Sequence, residues 1–158
     1  MRAAELARYV IAYNDNHGEL ITNKKLQKLL YYIKAWGLVY FDDGIVDDDF
    51  EAWIHGPVCV VVYNQYKTFG YKPISQEYDN GSSSTLLKEF RKKQPNKDKI
   101  DLINAVIEKY GSLSSFQLEL LSHSEKPWIE ARDGLSPIDT GHSVIKSQTM
   151  REFYSQKK

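Results

Sequence analysis

Ala3, Leu6, Ala7, Val10, Ile11 and Tyr13 fall close to the spacing of one helix face, and His17-Gly18 closes the run with a residue suited to a left-handed cap. A second, clearer pattern follows. Thr22 is a capping residue, and Leu26, Leu29, Leu30, Ile33, Gly37 and Tyr40 keep the i, i+3, i+4, i+7 rule, while Lys24, Lys25, Lys28 and Lys34 occupy the other face. Beyond it lies an acidic stretch with a turn signal at Asp43-Gly44. Phe50, Ala52 and Ile54 then alternate with Glu51 and Trp53, which predicts a small hairpin. The run from Val58 to Tyr63 has strand composition. Its phase is helical all the same, with Val58, Val61, Val62, Gln65, Tyr66 and Phe69 on one side between Pro57 and Gly70.

Periodicity is lost from Tyr71 to Lys99, a stretch holding Gly81-Ser82-Ser83-Ser84 and a basic run through Arg91, Lys92 and Lys93. It reads as a polar loop with a short helix around Leu86 to Phe90. Helical phase returns at Ile103, Val106, Ile107 and Tyr110. Ser114 with Gln117 makes a capping box for a further helix, Pro127 opens a short one, and a last helix is predicted from Ser147 to Tyr154. The pattern as a whole predicts a mainly α fold: a compact multi-helix domain with a small β-hairpin between the second and third helices. No repeat or linker divides the chain, so 1–158 reads as a single domain with a polar insert at about 76–99.

Length and composition agree with that picture. A chain of 158 residues can bury roughly 70% of the surface its unfolded form exposes, and the 42% hydrophobic and 27% charged shares are ordinary for a globular protein. The 21 basic residues balance the 21 acidic ones, leaving no global field to gather a polyanion. One cysteine, Cys59, cannot close an internal disulfide, and no apolar run is long enough for a signal peptide or membrane span. The expected address is the cytoplasm.

Chemistry-bearing patterns are scarce. Four histidines and one cysteine are too scattered for a paired zinc site, and Gly56-Pro57 separates His55 from Cys59. Phosphate loops, dinucleotide fingerprints and nucleophile elbows do not occur. Asp47, Asp48 and Asp49 lack the alternate spacing of a calcium loop and read as a solvated turn. The chain is therefore expected to be no enzyme and to need no metal or cofactor. The lysine face of the second helix could read DNA as a repressor would, but a charged outer face also keeps any surface helix soluble, and nucleic acid is the disfavoured partner.

Aromatic residues are the one compositional excess: eleven Tyr, six Phe and three Trp. Rings in such number belong in a core or at an interface. Trp36 and Trp128 read as core, whereas Trp53 points away from Phe50, Ala52 and Ile54 and suits an interface. Exposed rings would serve a homo-oligomer as well as a different partner.

Several blocks together resemble one family. Leu26-Gln27-Lys28-Leu29-Leu30-Tyr31-Tyr32, Glu51-Ala52-Trp53-Ile54-His55-Gly56-Pro57-Val58, Val62-Tyr63, Pro73-Ile74, His123, Pro127-Trp128 and Ala131-Arg132 are similar, in order and spacing, to the Panacea domain of SocA-like antitoxins and GepA-type phage-associated proteins. Two positions depart from it, Val60 where many members have proline and Ser122 where threonine is usual. The resemblance implies a bacterial or prophage toxin-antitoxin system. In such a system the protein binds and neutralises a toxin encoded beside it, and an adaptor role that presents the toxin to the Clp protease is known within the family. On this reading Tyr32, Trp53 and His55 contact the partner, and Trp36 and Trp128 hold the platform rigid. Leu26, Gln27, Lys28, Leu29, Gly56, Pro57, His123 and Pro127 complete the structural signature.

Overall fold

The computed structural model describes residues 1–75 and 82–158. Its described residues form α1 (Ala3–Asn16), α2 (Asn23–Tyr40), β1 (Glu51–Trp53), β2 (Gly56–Val58), α3 (Val60–Tyr66), α4 (Ser83–Lys93), α5 (Lys97–Gly111), α6 (Ser115–His123), α7 (Lys126–Ala131) and α8 (Ser147–Ser155). The fold is mainly α, with its two-stranded hairpin between the second and third helices.

Helix α2 is the axle. Thr22 Oγ1 accepts the Lys25 backbone N–H at its start, and α1, α3, α5, α6, α8 and β2 all pack against it. Every residue from Leu26 to Gly37 is buried, so this is a central helix apolar nearly all round rather than an amphipathic surface helix. The expected lysine face is corrected accordingly. Lys28 and Lys34 are 1% and 4% exposed, and Lys34 Nζ donates to the Asp48 carbonyl. Of the other two, Lys25 Nζ donates to the Gly111 carbonyl at 2.7 Å and Lys24 pairs with Glu119 at 3.1 Å. Long aliphatic stems carry each ammonium to an oxygen, so the four lysines hold the fold together instead of presenting a phosphate-reading stripe.

Sequence cues at several termini hold. Ser114 and Gln117 form the full capping box of α6, Pro127 sits in the first turn of α7, and α8 begins at Ser147. The hairpin differs in detail from the pattern. Its turn lies at Ile54-His55, and Glu51 pairs with Val58, Ala52 with Pro57 and Trp53 with Gly56. Pro57 thus belongs to a strand and α3 starts later, at Val60. A third segment runs along the free edge of β1, where the Ala52 N–H donates to the Ser143 carbonyl and Ile145 N–H to the Phe50 carbonyl, each at 2.8 Å. Edge pairing of this kind protects a short hairpin that would be marginal alone.

The stretch expected as a polar loop with a short helix around Leu86 to Phe90 contains a longer one, α4, an eleven-residue helix capped by Ser82 that buries Leu87 and packs on α1. Residues 76–81 of that stretch lie outside the described residues. Asp48, expected in a solvated turn, accepts the Ala3 N–H at 2.7 Å through its carboxylate.

Candidate functional site

The hairpin is clamped from two sides by side chains that the sequence scatters widely. From α2, Gln27 accepts the Cys59 N–H through Oε1 at 2.9 Å and donates to Asn23 Oδ1 at 2.9 Å, so its amide is engaged at both ends. Lys28 Nζ donates to the Pro57 carbonyl at 3.3 Å. From the other side, the Trp128 indole donates to the Trp53 carbonyl at 2.9 Å and the Arg132 guanidinium to the Ala52 carbonyl at 3.0 Å. The guanidinium also lies over the Trp128 ring, and His123 stacks on that ring's plane at 3.9 Å. Burial lowers the His123 imidazole below its ordinary range, and among the described residues its Nε2 has no hydrogen-bond partner.

Gly56 is the point of closest approach. Its φ is +111°, a backbone region that side chains disfavour, and a Cβ there would lie 2.5 Å from Lys28 Cε and 3.1 Å from Ser122 Oγ. The blocks Leu26 to Tyr32, His55-Gly56-Pro57, Pro127-Trp128 and Ala131-Arg132 therefore meet in three dimensions. Pro73-Ile74 joins the same end of the molecule, since the Ile74 N–H donates to the Ile21 carbonyl just before α2.

On the outer side of this clamp is a cleft of about 330 Å³ between α2, the hairpin, α3 and the turn after it. Trp53, Tyr63 and Tyr71 supply its rings, and Lys24, Lys28, Lys67 and His55 its basic groups. Trp53 is half-buried, edge-on to Tyr63 at 4.9 Å, with its indole N–H donated to Glu51. His55 stands at the hairpin turn, 69% exposed in its side chain, with Nδ1 2.9 Å from Glu119 Oε1. Burial alone would push the Glu119 carboxyl up, but Lys24 and His55 beside it hold it below the usual range. Lys28 is the reverse case. Burial, reinforced by Lys24, brings its amine down from 10.5 to about 7, although Glu119 works against that shift.

Tyr32 is elsewhere. Expected to face a partner, it is wholly buried, stacked on Tyr110 at 4.1 Å with its hydroxyl donated to Glu125 at 2.6 Å. The Tyr154 hydroxyl donates to the same carboxylate oxygen at 2.9 Å, and burial raises the Glu125 carboxyl above its ordinary range. Tyr32 thus belongs to the platform, next to Trp36, whose indole donates to the Tyr110 hydroxyl at 2.7 Å. Sequence reasoning missed Tyr71, the most exposed ring of the cleft at 97%. No periodicity surrounds it, so the signal available was only its place after Gly70.

Comparison with known proteins gives the same outline. The family described as "Antitoxin SocA-like, Panacea domain" matches residues 26–129. Antitoxin SocA of Caulobacter vibrioides (strain NA1000 / CB15N) is 34% identical over 109 residues, which is 68% of this chain and 58% of that protein. The chain thus matches less than two thirds of the length of that curated relative. No solved structure matches the chain.

Proposed function

The chain belongs to the SocA-like antitoxin family that carries the Panacea domain, and on that premise we propose that it neutralises a toxin protein by binding it through the hairpin face. The observation that carries this reading is the contrast across the hairpin. Behind it, buried hydrogen bonds and a stacked Trp128 fix the backbone; in front, Trp53 and Tyr71 stand half-buried and exposed beside a cleft. Rigid aromatic anchors on a fixed backbone lose little conformational entropy on binding, and tryptophan and tyrosine are the residues that most often dominate an interface. His55 at the rim of the same face adds a polar contact.

Such a mechanism is stoichiometric and involves no turnover. The partner is a toxin encoded next to this chain, met in the cytoplasm; among the described residues no helix is long and apolar enough to cross a membrane. Delivery of the bound toxin to the Clp protease would add to masking. Co-expression with the neighbouring gene's product tests the reading. Growth arrest by that product alone and recovery when this chain is supplied are expected, and a product that is harmless, or that still kills, would overturn it. Recovery that disappears in cells lacking the Clp protease would assign the effect to delivery, and recovery that persists would assign it to masking.

A further inference from the structure

The cleft beside Trp53 is built for an anion. Four basic side chains line it, Lys24, Lys28, Lys67 and His55, and Glu119 is shared between Lys24 at 3.1 Å and His55 at 2.9 Å. Lys28 and Lys67 have no carboxylate within ion-pair distance among the described residues. Lys67 is exposed to solvent, but Lys28 is 1% exposed, and among the described residues its ammonium has a single acceptor, the Pro57 carbonyl at 3.3 Å. An ammonium has three N–H donors, and a buried charge so thinly paired is costly unless something else completes its shell. The side-chain amides beside it are already committed to other partners. Both ends of the Gln27 amide are engaged, and Asn23 donates to the Tyr63 carbonyl at 3.2 Å and accepts from Gln27.

Shape and wall chemistry narrow the ligand. A volume of about 330 Å³ holds a side chain with its immediate neighbours rather than a cofactor. The walls are rings, Trp53, Tyr63 and Tyr71, which suit methylene and apolar groups around a single charged tip. We propose that the cleft is the receptor for an acidic side chain of the toxin, a glutamate or aspartate set among apolar residues, whose carboxylate completes the shell of Lys28 between Lys24 and Lys67. This rests on the toxin-binding reading and adds the chemistry by which the toxin is recognised.

The probe is a blocked peptide, acetyl-Leu-Glu-Leu-amide, titrated against the full chain while the Trp53 indole N–H signal is followed by NMR, so that no toxin is needed. A saturable shift is expected, weakened by about tenfold or more when glutamine replaces the peptide's glutamate, because the charge-assisted pairing is lost. Lys67→Glu, at an exposed position, should weaken binding similarly, and Lys28→Met should abolish it. Equal binding of the two peptides, no saturable shift, or unchanged binding by Lys67→Glu would overturn the proposal. Free glutarate or inorganic phosphate binding as tightly as the peptide would overturn its assignment to a protein side chain. Toxin rescue without peptide binding would defeat this inference alone, whereas a harmless neighbouring product would defeat the antitoxin reading and leave the peptide result standing.

Discussion

Gly56 and Lys28 are locked together: a single methyl group on Gly56 would lie 2.5 Å from Lys28 Cε, and the Gly56 backbone already sits at φ +111°. Lys28 is packed to 1% exposure and cannot swing aside without leaving the Pro57 carbonyl. Gly56→Ala should therefore destabilise the fold by about 2–4 kcal/mol, from backbone strain together with overpacking. Urea unfolding of the two proteins measures it, and a loss below about 1 kcal/mol would mean that the hairpin relaxes freely.

Lys28 also makes stability depend on pH in a direction opposite to most lysines. Its folded amine titrates near 7 and the unfolded one near 10.5, so between those values the unfolded chain binds the extra proton. Below about 7 both states are protonated and burial of the ammonium costs stability in full. As pH rises past 7 that cost is relieved, and stability should climb by up to about 1.4 kcal/mol per pH unit from this group. Glu119 and His123 lie around it and contribute their own slopes, so the comparison is with Lys28→Met. Denaturant unfolding from pH 7 to about 9, where tyrosines are still largely protonated, should show a rise in the native protein that the variant lacks.

Glu125 should give the opposite slope at lower pH. Burial raises its carboxyl above the ordinary value, so the folded state holds the proton longer than the unfolded state does. Stability from this group is greatest when both states are protonated and falls as pH rises from about 4.5 through the raised folded value. Glu125→Gln keeps an oxygen that can accept both the Tyr32 and Tyr154 hydroxyls and removes the charge. Its unfolding free energy should vary less between pH 4 and 7, and it should equal or exceed the native protein at neutral pH. A variant markedly weaker at neutral pH would show that the negative charge itself is needed there.

Much of the architecture can be read from residues whose chemistry is local. Ser114 with Gln117 and Thr22 start helices because their side chains satisfy free backbone N–H groups wherever the rest of the chain goes. The full length of α4 was obscured because a short, highly charged segment shows one buried apolar anchor, Leu87, and its stability comes from packing on α1. The lysines of α2 misled for a related reason. Lysine is rarely buried, so Lys28 and Lys34 suggest a surface, and the oxygens that hold them belong to Pro57 and Asp48, on segments that sequence spacing cannot bring near.

At the site, the outward placement of Trp53 and His55 was legible because strand alternation and a turn set it. Tyr32 was not, since its burial depends on Tyr110 and Glu125, far along the chain. Asp43-Gly44 does form a turn, with Gly44 at φ +64° and its N–H donated to the Phe41 carbonyl, but the hairpin turns at Ile54-His55, just before Gly56 at φ +111°.

The rings beside the hairpin are the proposed seat of the toxin. Titration calorimetry of this chain with the neighbouring gene's product, native and with Trp53→Ala or Tyr71→Ala, measures that directly. The native protein should bind in a fixed stoichiometry, and Trp53→Ala should weaken binding by about 30-fold or more, near 2 kcal/mol, with the fold retained in thermal melts. Tyr71→Ala, at a position 97% exposed, should weaken it without any stability change. Absence of native binding, or binding that both substitutions leave unaltered, would contradict the account.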